Sequence, residues 1–246
     1  MCKELSFALL LVPGVASDWG QIHQAEASPT TAVPQTAFTY FDEVEGHRFD
    51  EFLHRLRPKK LPPELKEQVL KILPQRDVVS ASRGQEAKLR ALEPILEYHD
   101  RGSTIDVKIV RAPLAGTAFL AGAAILISEP ALEILSAEEL QATAAHELGH
   151  EYFWDEFERA RQQDNYSRLQ ELELRCDGIA VITLIELGLN PEKVLTSFEK
   201  FNAYNGYKES GTRAERYVSS RDRERFIRSM IALVRGAGST SGTVRE

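Results

Sequence analysis

Apolar residues recur at helical spacing over two long stretches in the second half of the chain. The first stretch predicts a helix over about 137–161, where Ser136 and Glu139 form a capping box at its start. The charged positions after residue 150 are interpreted as the solvated face of this helix. The second stretch predicts a helix over about 166–187, which ends before the helix-breaking Gly188.

Shorter apolar runs predict a small sheet beside further helices. Ile105–Val110 alternates and is rich in β-branched residues, which is typical of a strand. Thr117–Ser128 predicts a second strand, or two short strands separated at Gly122. Further helices are predicted over about 47–56, 63–73, 85–98 with a kink or break at Pro94, 191–205 and 220–235. The pattern indicates a mainly helical α+β fold with a small antiparallel sheet.

The first long helix carries the pattern H-E-x-x-H, from His146 to His150. Histidines at i and i+4 lie about 40° apart around a helix, so both rings can reach one metal ion. Glu147 lies beside them, where its carboxylate can act on a water bound to that metal. The alternative is a chance match, with His146 an ordinary helix histidine and His150 on a solvated surface. A third ligand downstream would favour the metal site.

The second long helix supplies two carboxylates with the spacing that such a site needs. Glu173 and Asp177 share one face at i and i+4. We predict that Glu173 is the third ligand and that Asp177 accepts the second ring N–H of His146, which fixes the tautomer of a metal-binding histidine. The alternative is an acidic surface run that includes Glu171. Glu171 is the weaker ligand candidate because Arg175 follows it at the spacing of an ordinary ion pair.

These two motifs together resemble the gluzincin metallopeptidases. H-E-L-G-H followed by E-x-x-x-D on the next long helix is most similar to the family of HtpX and the CAAX prenyl endopeptidase. The resemblance continues through Ala115–Ser128, Leu135–Leu140 and the segment from Glu173 to Pro191, and it covers roughly residues 85–232. It implies a zincin-like peptidase domain with an active-site helix. The integral-membrane members of that family have several transmembrane spans.

The motifs and the resemblance lead to one leading hypothesis, a zinc endopeptidase. His146, His150 and Glu173 would hold one zinc ion, although cobalt or manganese also suits two imidazoles and a carboxylate. Glu147 would act as general base on the zinc-activated water. The resemblance further implies that a peptide or an unfolded protein pairs with the strand at Thr117, Ala118 and Phe119, which would contact the substrate.

Two departures from the family leave the oxyanion-stabilising group open. Thr117 stands where the family has asparagine, and the segment 218–225 lacks the His-Pro pair that precedes an arginine in family members. The candidates for this role are Tyr204, Tyr207, Arg216, Tyr217, Arg221 and Arg225. Each of them also fits an ordinary solvated helix face.

Two other classes of function remain alternatives. One is a zinc exopeptidase or a non-proteolytic zinc hydrolase, although no clear motif for binding a chain terminus is present. The other is a catalytically degenerate binding or chaperone-like module, which the departures from the family favour. The intact Glu147 argues against it, since a protein that only binds has no need of that base.

Composition narrows the possible partners. The chain has 246 residues, of which 43% are hydrophobic, enough for one sizeable core. Its net charge of −7 argues against nucleic acid as a partner. No run of 18 apolar residues occurs, so no transmembrane span is predicted, and no feature indicates an oligomeric state. Cys176 is expected to be a small buried residue. Ordinary surface or core roles are expected for His23, His47, His54 and His99.

The two ends of the chain differ from the middle in composition. Residues 1–27 resemble a signal peptide, with Lys3 before an apolar run and small residues at two possible cleavage positions. We therefore expect export to the periplasm or the medium; a cytoplasmic protein with an uncleaved leader is the alternative. Residues 28–36 are predicted to be a linker, 37–235 the single peptidase domain, and 236–246 a disordered tail.

Overall fold

The fold is mainly helical, as the apolar pattern predicts, and has one small sheet. A computed structural model describes residues 33–42, 49–206 and 218–240. Its helices are α1 Val33–Asp42, α2 Phe49–Leu56, α3 Pro63–Leu70, α4 Arg83–Arg90, α5 Glu93–Tyr98, α6 Glu129–Ile134, α7 Ala137–Tyr152, α8 Trp154–Gln162, α9 Tyr166–Glu186, α10 Lys193–Asn205 and α11 Ser220–Thr240. Its strands are β1 Val78–Val79, β2 Asp106–Val110, β3 Thr117–Leu120 and β4 Ala124–Ser128.

The sheet is mixed, so the predicted antiparallel sheet is wrong in one pair. The strand order is β1-β2-β4-β3, and β2 and β4 run parallel with Ile109 opposite Ile127. The pairs β1–β2 and β3–β4 are antiparallel. β4 is buried along its whole length, and an uninterrupted apolar run such as Ala124–Ile127 suits a strand covered on both faces. β4 therefore takes a central position, and β3 lies at the edge of the described sheet.

A tight turn separates β3 from β4, which confirms the alternative of two short strands. The N–H of Ala123 donates to the carbonyl of Leu120 at 2.7 Å. Ala121 and Gly122 between them both have positive φ, 43° and 75°. This conformation matches the twist of a two-stranded hairpin, and glycine adopts it without steric cost.

The helices α7 and α9 pack closely along the centre of the molecule. A Cβ added at Gly149 would lie 2.7 Å from the Cα of Cys176, so only glycine permits this approach of the two helices. On the other side of α9, a Cβ added at Gly178 would lie 2.4 Å from the ring of Phe41 in α1. One cluster of buried apolar side chains extends from Ala37 to Val234.

Several predicted boundaries are wrong. The predicted helix 137–161 is interrupted at Phe153, whose backbone leaves the helical region while its side chain enters the core with 3% exposure. The break predicted near Pro94 within 85–98 is confirmed, because this segment forms two helices, α4 and α5, and Pro94 lies in the first turn of α5. α1 begins at Val33, inside the predicted linker, because Ala37 and Phe41 pack into the core.

The last helix also extends further than predicted. α11 continues to Thr240, through part of the predicted disordered tail, because its apolar stripe from Phe226 to Val234 anchors it in the core. The predicted signal peptide 1–27 and residues 241–246 lie outside the described residues. In the described ranges, no helix combines the length and the apolar character needed to cross a bilayer.

Candidate metal centre

The packing of α7 on α9 brings together the three predicted metal ligands. One donor atom each of His146, His150 and Glu173 lies within 4.8 Å of the other two. The Nε2 atom of His146 is 3.5 Å from Oε2 of Glu173, and Nε2 of His150 is 3.9 Å from Oε1 of the same carboxylate. The predicted capping box starts α7: Ser136 accepts from the N–H of Glu139, and the carboxylate of Glu139 accepts from the N–H of Ser136.

Asp177 makes the contact that its spacing predicts. Its side chain is fully buried, and its Oδ1 accepts a hydrogen bond from Nδ1 of His146 at 2.8 Å. With Nδ1–H donated to Asp177, Nε2 is the ring nitrogen that faces Glu173 and the other donors. The buried carboxylate therefore fixes both the tautomer and the ring angle of His146.

Glu147 lies beside the three donors and is itself held in place. It is 5% exposed, and its Oε2 is 3.9 Å from Nε2 of His150. Its other oxygen, Oε1, accepts a hydrogen bond from the hydroxyl of Thr117 in β3 at 2.7 Å. The edge strand thus orients one carboxylate oxygen and leaves the second one next to the donor cluster.

Arg223 of α11 completes the site, and the candidates drawn from the sequence do not include it. Its Nε lies 3.1 Å from Oδ2 of Asp177, and its Nη2 donates to Oε2 of Glu173 at 3.3 Å. Its guanidinium also lies 3.8 Å above the ring of Phe198. One signal for it exists in the sequence: Arg223 precedes two buried residues of α11, Phe226 and Ile227, by three and four positions, so it shares their inward face.

The charges in this cluster shift the pKa values of its members. Burial alone would lower the pKa of His146, but the hydrogen bonds to Asp177 and Glu173 raise it to about 10. Burial lowers the pKa of His150. For Glu173, burial is outweighed by His146, His150 and Arg223, which hold the pKa of the carboxyl well below its usual range.

The donor geometry fits a small divalent cation. A tetrahedral site with bond lengths of about 2.0–2.2 Å separates its donors by about 3.3–3.6 Å, close to the 3.5 and 3.9 Å found between the imidazoles and Glu173. With neutral imidazoles, the carboxylates of Glu147, Glu173 and Asp177 outweigh the guanidinium of Arg223 in charge. Two imidazoles and one carboxylate suit zinc, and also cobalt or manganese.

The three residues predicted to contact substrate face in different directions. Thr117 faces Glu147, while Phe119 is 2% exposed and stacks edge-on against Trp154 with the ring centroids 6.0 Å apart. Ala118 points to the other face of the sheet, into a small cluster with Leu120. A contact of Ala118 with a peptide would therefore run through its main chain at the sheet edge.

The remaining sequence candidates have other positions. Glu171 forms ion pairs of 2.6 Å with Arg168 and with Arg175, which confirms its predicted pairing at i,i+4. Cys176 is buried against Gly149, and burial raises the pKa of its thiol well above the usual value. Tyr204 and Arg221 are exposed, Arg225 pairs with Asp222, and Tyr207, Arg216 and Tyr217 lie outside the described residues.

His99 is an ordinary core residue, as predicted, with both ring nitrogens bonded. The hydroxyl of Thr183 donates to the carbonyl of Ile179, so it accepts the Nε2–H of His99 at 2.9 Å. Nδ1 then accepts from the hydroxyl of Tyr152 at 2.8 Å. Burial, reinforced by Arg57 and Arg101, lowers the pKa of His99 to about 3. Of the other histidines, His54 is exposed, and His23 and His47 lie outside the described residues.

We expect this buried neutral histidine to make stability fall in acid. The unfolded chain protonates His99 near its ordinary pKa of 6.5, whereas the folded chain resists protonation down to about pH 3. The contribution of neutral His99 to the free energy of unfolding is therefore fully present above pH 6.5. It is lost as the pH falls, by about 2 kcal/mol between pH 7 and 5. Urea unfolding at both pH values should show this loss in the wild type and a smaller one in His99→Gln. Equal losses would contradict the assignment.

Comparisons with known proteins identify no relative of this chain. No protein-family model and no curated protein sequence matches the chain. The similarity to the gluzincin peptidases thus depends on the motifs and on the geometry described above.

Proposed function

We propose that this protein is a zinc-dependent endopeptidase with a zincin-like domain, related to the gluzincin peptidases. The observation that carries the proposal is the convergence of His146, His150 and Glu173 within 4.8 Å, with Glu147 beside them. Support comes from Asp177, whose contact with His146 is the one expected for a metal-binding histidine. Three carboxylates meet in this cluster, and a bound cation would act together with Arg223 to offset their mutual repulsion.

Each residue has a distinct task in this proposal. His146, His150 and Glu173 would hold the ion, and Asp177 and Arg223 orient His146 and Glu173. Zinc bound there would polarise the scissile carbonyl and lower the pKa of its water toward about 7. Glu147 takes the proton of the attacking water and delivers it to the leaving amine.

The sheet edge favours a peptide as the substrate. β3 has a neighbour on one side only within the described sheet, so its outer backbone groups can pair with an extended peptide. Because Thr117 on this strand contacts Glu147 directly, a peptide paired with β3 passes next to the general base. An extended chain is needed for such pairing, which points to flexible peptides or unfolded proteins.

Metal analysis combined with cleavage mapping tests the proposal. Purified protein should contain about one zinc ion per chain, cut unfolded casein at defined bonds, lose activity to a chelator and regain it with zinc. The fragments should identify an endopeptidase by internal cleavage sites. Release of terminal residues alone would indicate an exopeptidase. Zinc binding without cleavage of casein or of a diverse peptide library would indicate a binding module.

We expect the hydroxyl of Thr117 to act on the chemical step. Thr117→Val keeps the shape but removes the donor to Glu147, and a hydrogen bond to a charged group contributes about 1.5 kcal/mol, so kcat should fall about tenfold. KM for a casein-derived peptide should change little, and Thr117→Ser should retain most of the activity. A rise in KM with unchanged kcat would instead assign Thr117 to substrate binding.

A further inference from the structure

A cleft of about 680 Å³ lies at the end of β3 that is remote from Glu147. Thr117, at the start of β3, contacts Glu147, and Phe119 and the turn at Ala121 and Gly122 form one wall of the cleft. Leu56, residues 58–62 and the junction between α7 and α8 complete the lining. This volume is within the range of about 300–1,000 Å³ found for ligand pockets.

The cleft lies at the far end of the strand to which a peptide would bind. A strand rises about 3.4 Å per residue, so the turn at Ala121 lies about 13 Å, or four residues, beyond Thr117. A peptide paired with β3 and placed for cleavage at Glu147 therefore reaches the cleft with its third or fourth residue. Antiparallel pairing is slightly the more stable arrangement, and it directs the N-terminal half of the peptide toward the cleft.

Ten of the sixteen lining residues are apolar or aromatic, and these are the ones that an apolar side chain would contact. Phe119 and Trp154 stack edge-on in the lining, and Leu61 packs against the turn, with its Cβ 3.5 Å from a Cβ added at Gly122. Six charged residues also line the cleft, and three of them, Lys59, Asp155 and Arg159, add charges to its lining. The other three are paired with residues outside it. Glu151 pairs with Arg101 at 2.8 Å, Lys60 with Asp100 at 2.7 Å, and Glu156 with Arg168.

We propose that this cleft is a specificity subsite that takes a bulky apolar side chain of the substrate, three or four residues before the scissile bond. The proposal rests on the endopeptidase function argued above. Burial of a leucine side chain in place of alanine removes enough apolar surface from water to raise affinity about tenfold. The enzyme should therefore select sites by a residue well away from the bond that it cuts.

Binding can be measured without cleavage in the Glu147→Gln variant. The chain has two tryptophans, Trp19 and Trp154, so adding Trp19→Phe makes Trp154 the sole tryptophan, which is excited selectively at a wavelength that tyrosine does not absorb. Ten-residue peptides taken from a mapped casein site, with leucine or alanine at the third and fourth positions before the cut, serve as probes. The leucine peptides should bind about tenfold more tightly and change the Trp154 emission.

A pair of matched variants separates the cleft from its surroundings. Leu61→Glu places a charge in the cleft and should abolish the preference for leucine. Leu65→Glu makes the same change at a position in α3 that is 46% exposed and outside the lining, so the preference should persist. Both variants should have wild-type circular dichroism.

The outcomes separate this inference from the proposed function. Cleavage without a preference at these positions, or a preference on the C-terminal side of the bond, overturns the subsite alone. A preference that survives Leu61→Glu also overturns it. Failure of the wild type to cut casein or any library peptide overturns the endopeptidase proposal, and the subsite with it.

Discussion

Replacing Glu147 by glutamine is expected to lower peptide hydrolysis by about 10²–10⁴-fold while the zinc content stays unchanged. Glutamine has nearly the same shape and can still accept the hydrogen bond from Thr117 at the Oε1 position. It cannot take a proton from water, and general base catalysis typically contributes a factor of this size. The rate should be followed as kcat/KM on a peptide that contains one mapped casein site.

A matched control comes from the same helix. Glu138 lies in the first turn of α7 with its side chain 61% exposed, paired with Lys193 on the surface. Glu138→Gln makes the same chemical change away from the site and should keep wild-type activity. Equal activity of Glu147→Gln and the wild type would remove Glu147 from the mechanism. A parallel loss of zinc would show that the residue serves to hold the metal.

The parts of the site that could be predicted are those fixed by local geometry. The spacing of His146 and His150 determines their shared face once α7 is formed, and the capping box that starts α7 is equally local. Glu173 and Asp177 follow the same rule on α9. Whether these two faces meet depends on tertiary packing. A metal site needs all its donors together, and a metal-binding histidine needs a carboxylate partner, so the contact between Asp177 and His146 could still be predicted.

The parts that could not be predicted depend on contacts between distant segments. Arg223 is one of several arginines near the start of α11, and only the packing of α11 on α9 places it on Asp177. The parallel pairing of β2 with β4 likewise follows from how the chain returns after β3. The helix breaks at Phe153 because the Phe153 ring packs into the core, and this packing outweighs the helix propensity of the surrounding sequence.

Arg223 also alters how the departures from the gluzincin pattern are interpreted. The missing His-Pro pair suggests a site that has lost a polar group near its C-terminal helix. In the structure, that helix still supplies a cation, held by two carboxylates and by the ring of Phe198. This arrangement suits a metal site in an enzyme or in a binding module, so the distinction between the two depends on Glu147 and its contact with Thr117.

Removal of the Glu173 carboxylate is expected to weaken zinc binding by at least about 100-fold. Glu173→Gln takes away an anionic donor that lies 3.5 Å from Nε2 of His146 and leaves only the two imidazoles. Asp177→Asn removes no ligand but loosens His146, and changes at such supporting residues typically cost about 10–100-fold in metal affinity. Competition with a chromophoric chelator measures both values.

Glu171→Gln is the matched control for this series, because it removes a carboxylate two residues away on the same helix. Glu171 is occupied by Arg168 and Arg175, so its loss should leave zinc affinity near the wild-type value. Circular dichroism of each variant, recorded without zinc, should show that the fold is retained. An affinity that falls as far in Glu171→Gln as in Glu173→Gln would move the third ligand to Glu171. This geometry requires that zinc affinity be weakest in Glu173→Gln, intermediate in Asp177→Asn and close to the wild-type value in Glu171→Gln.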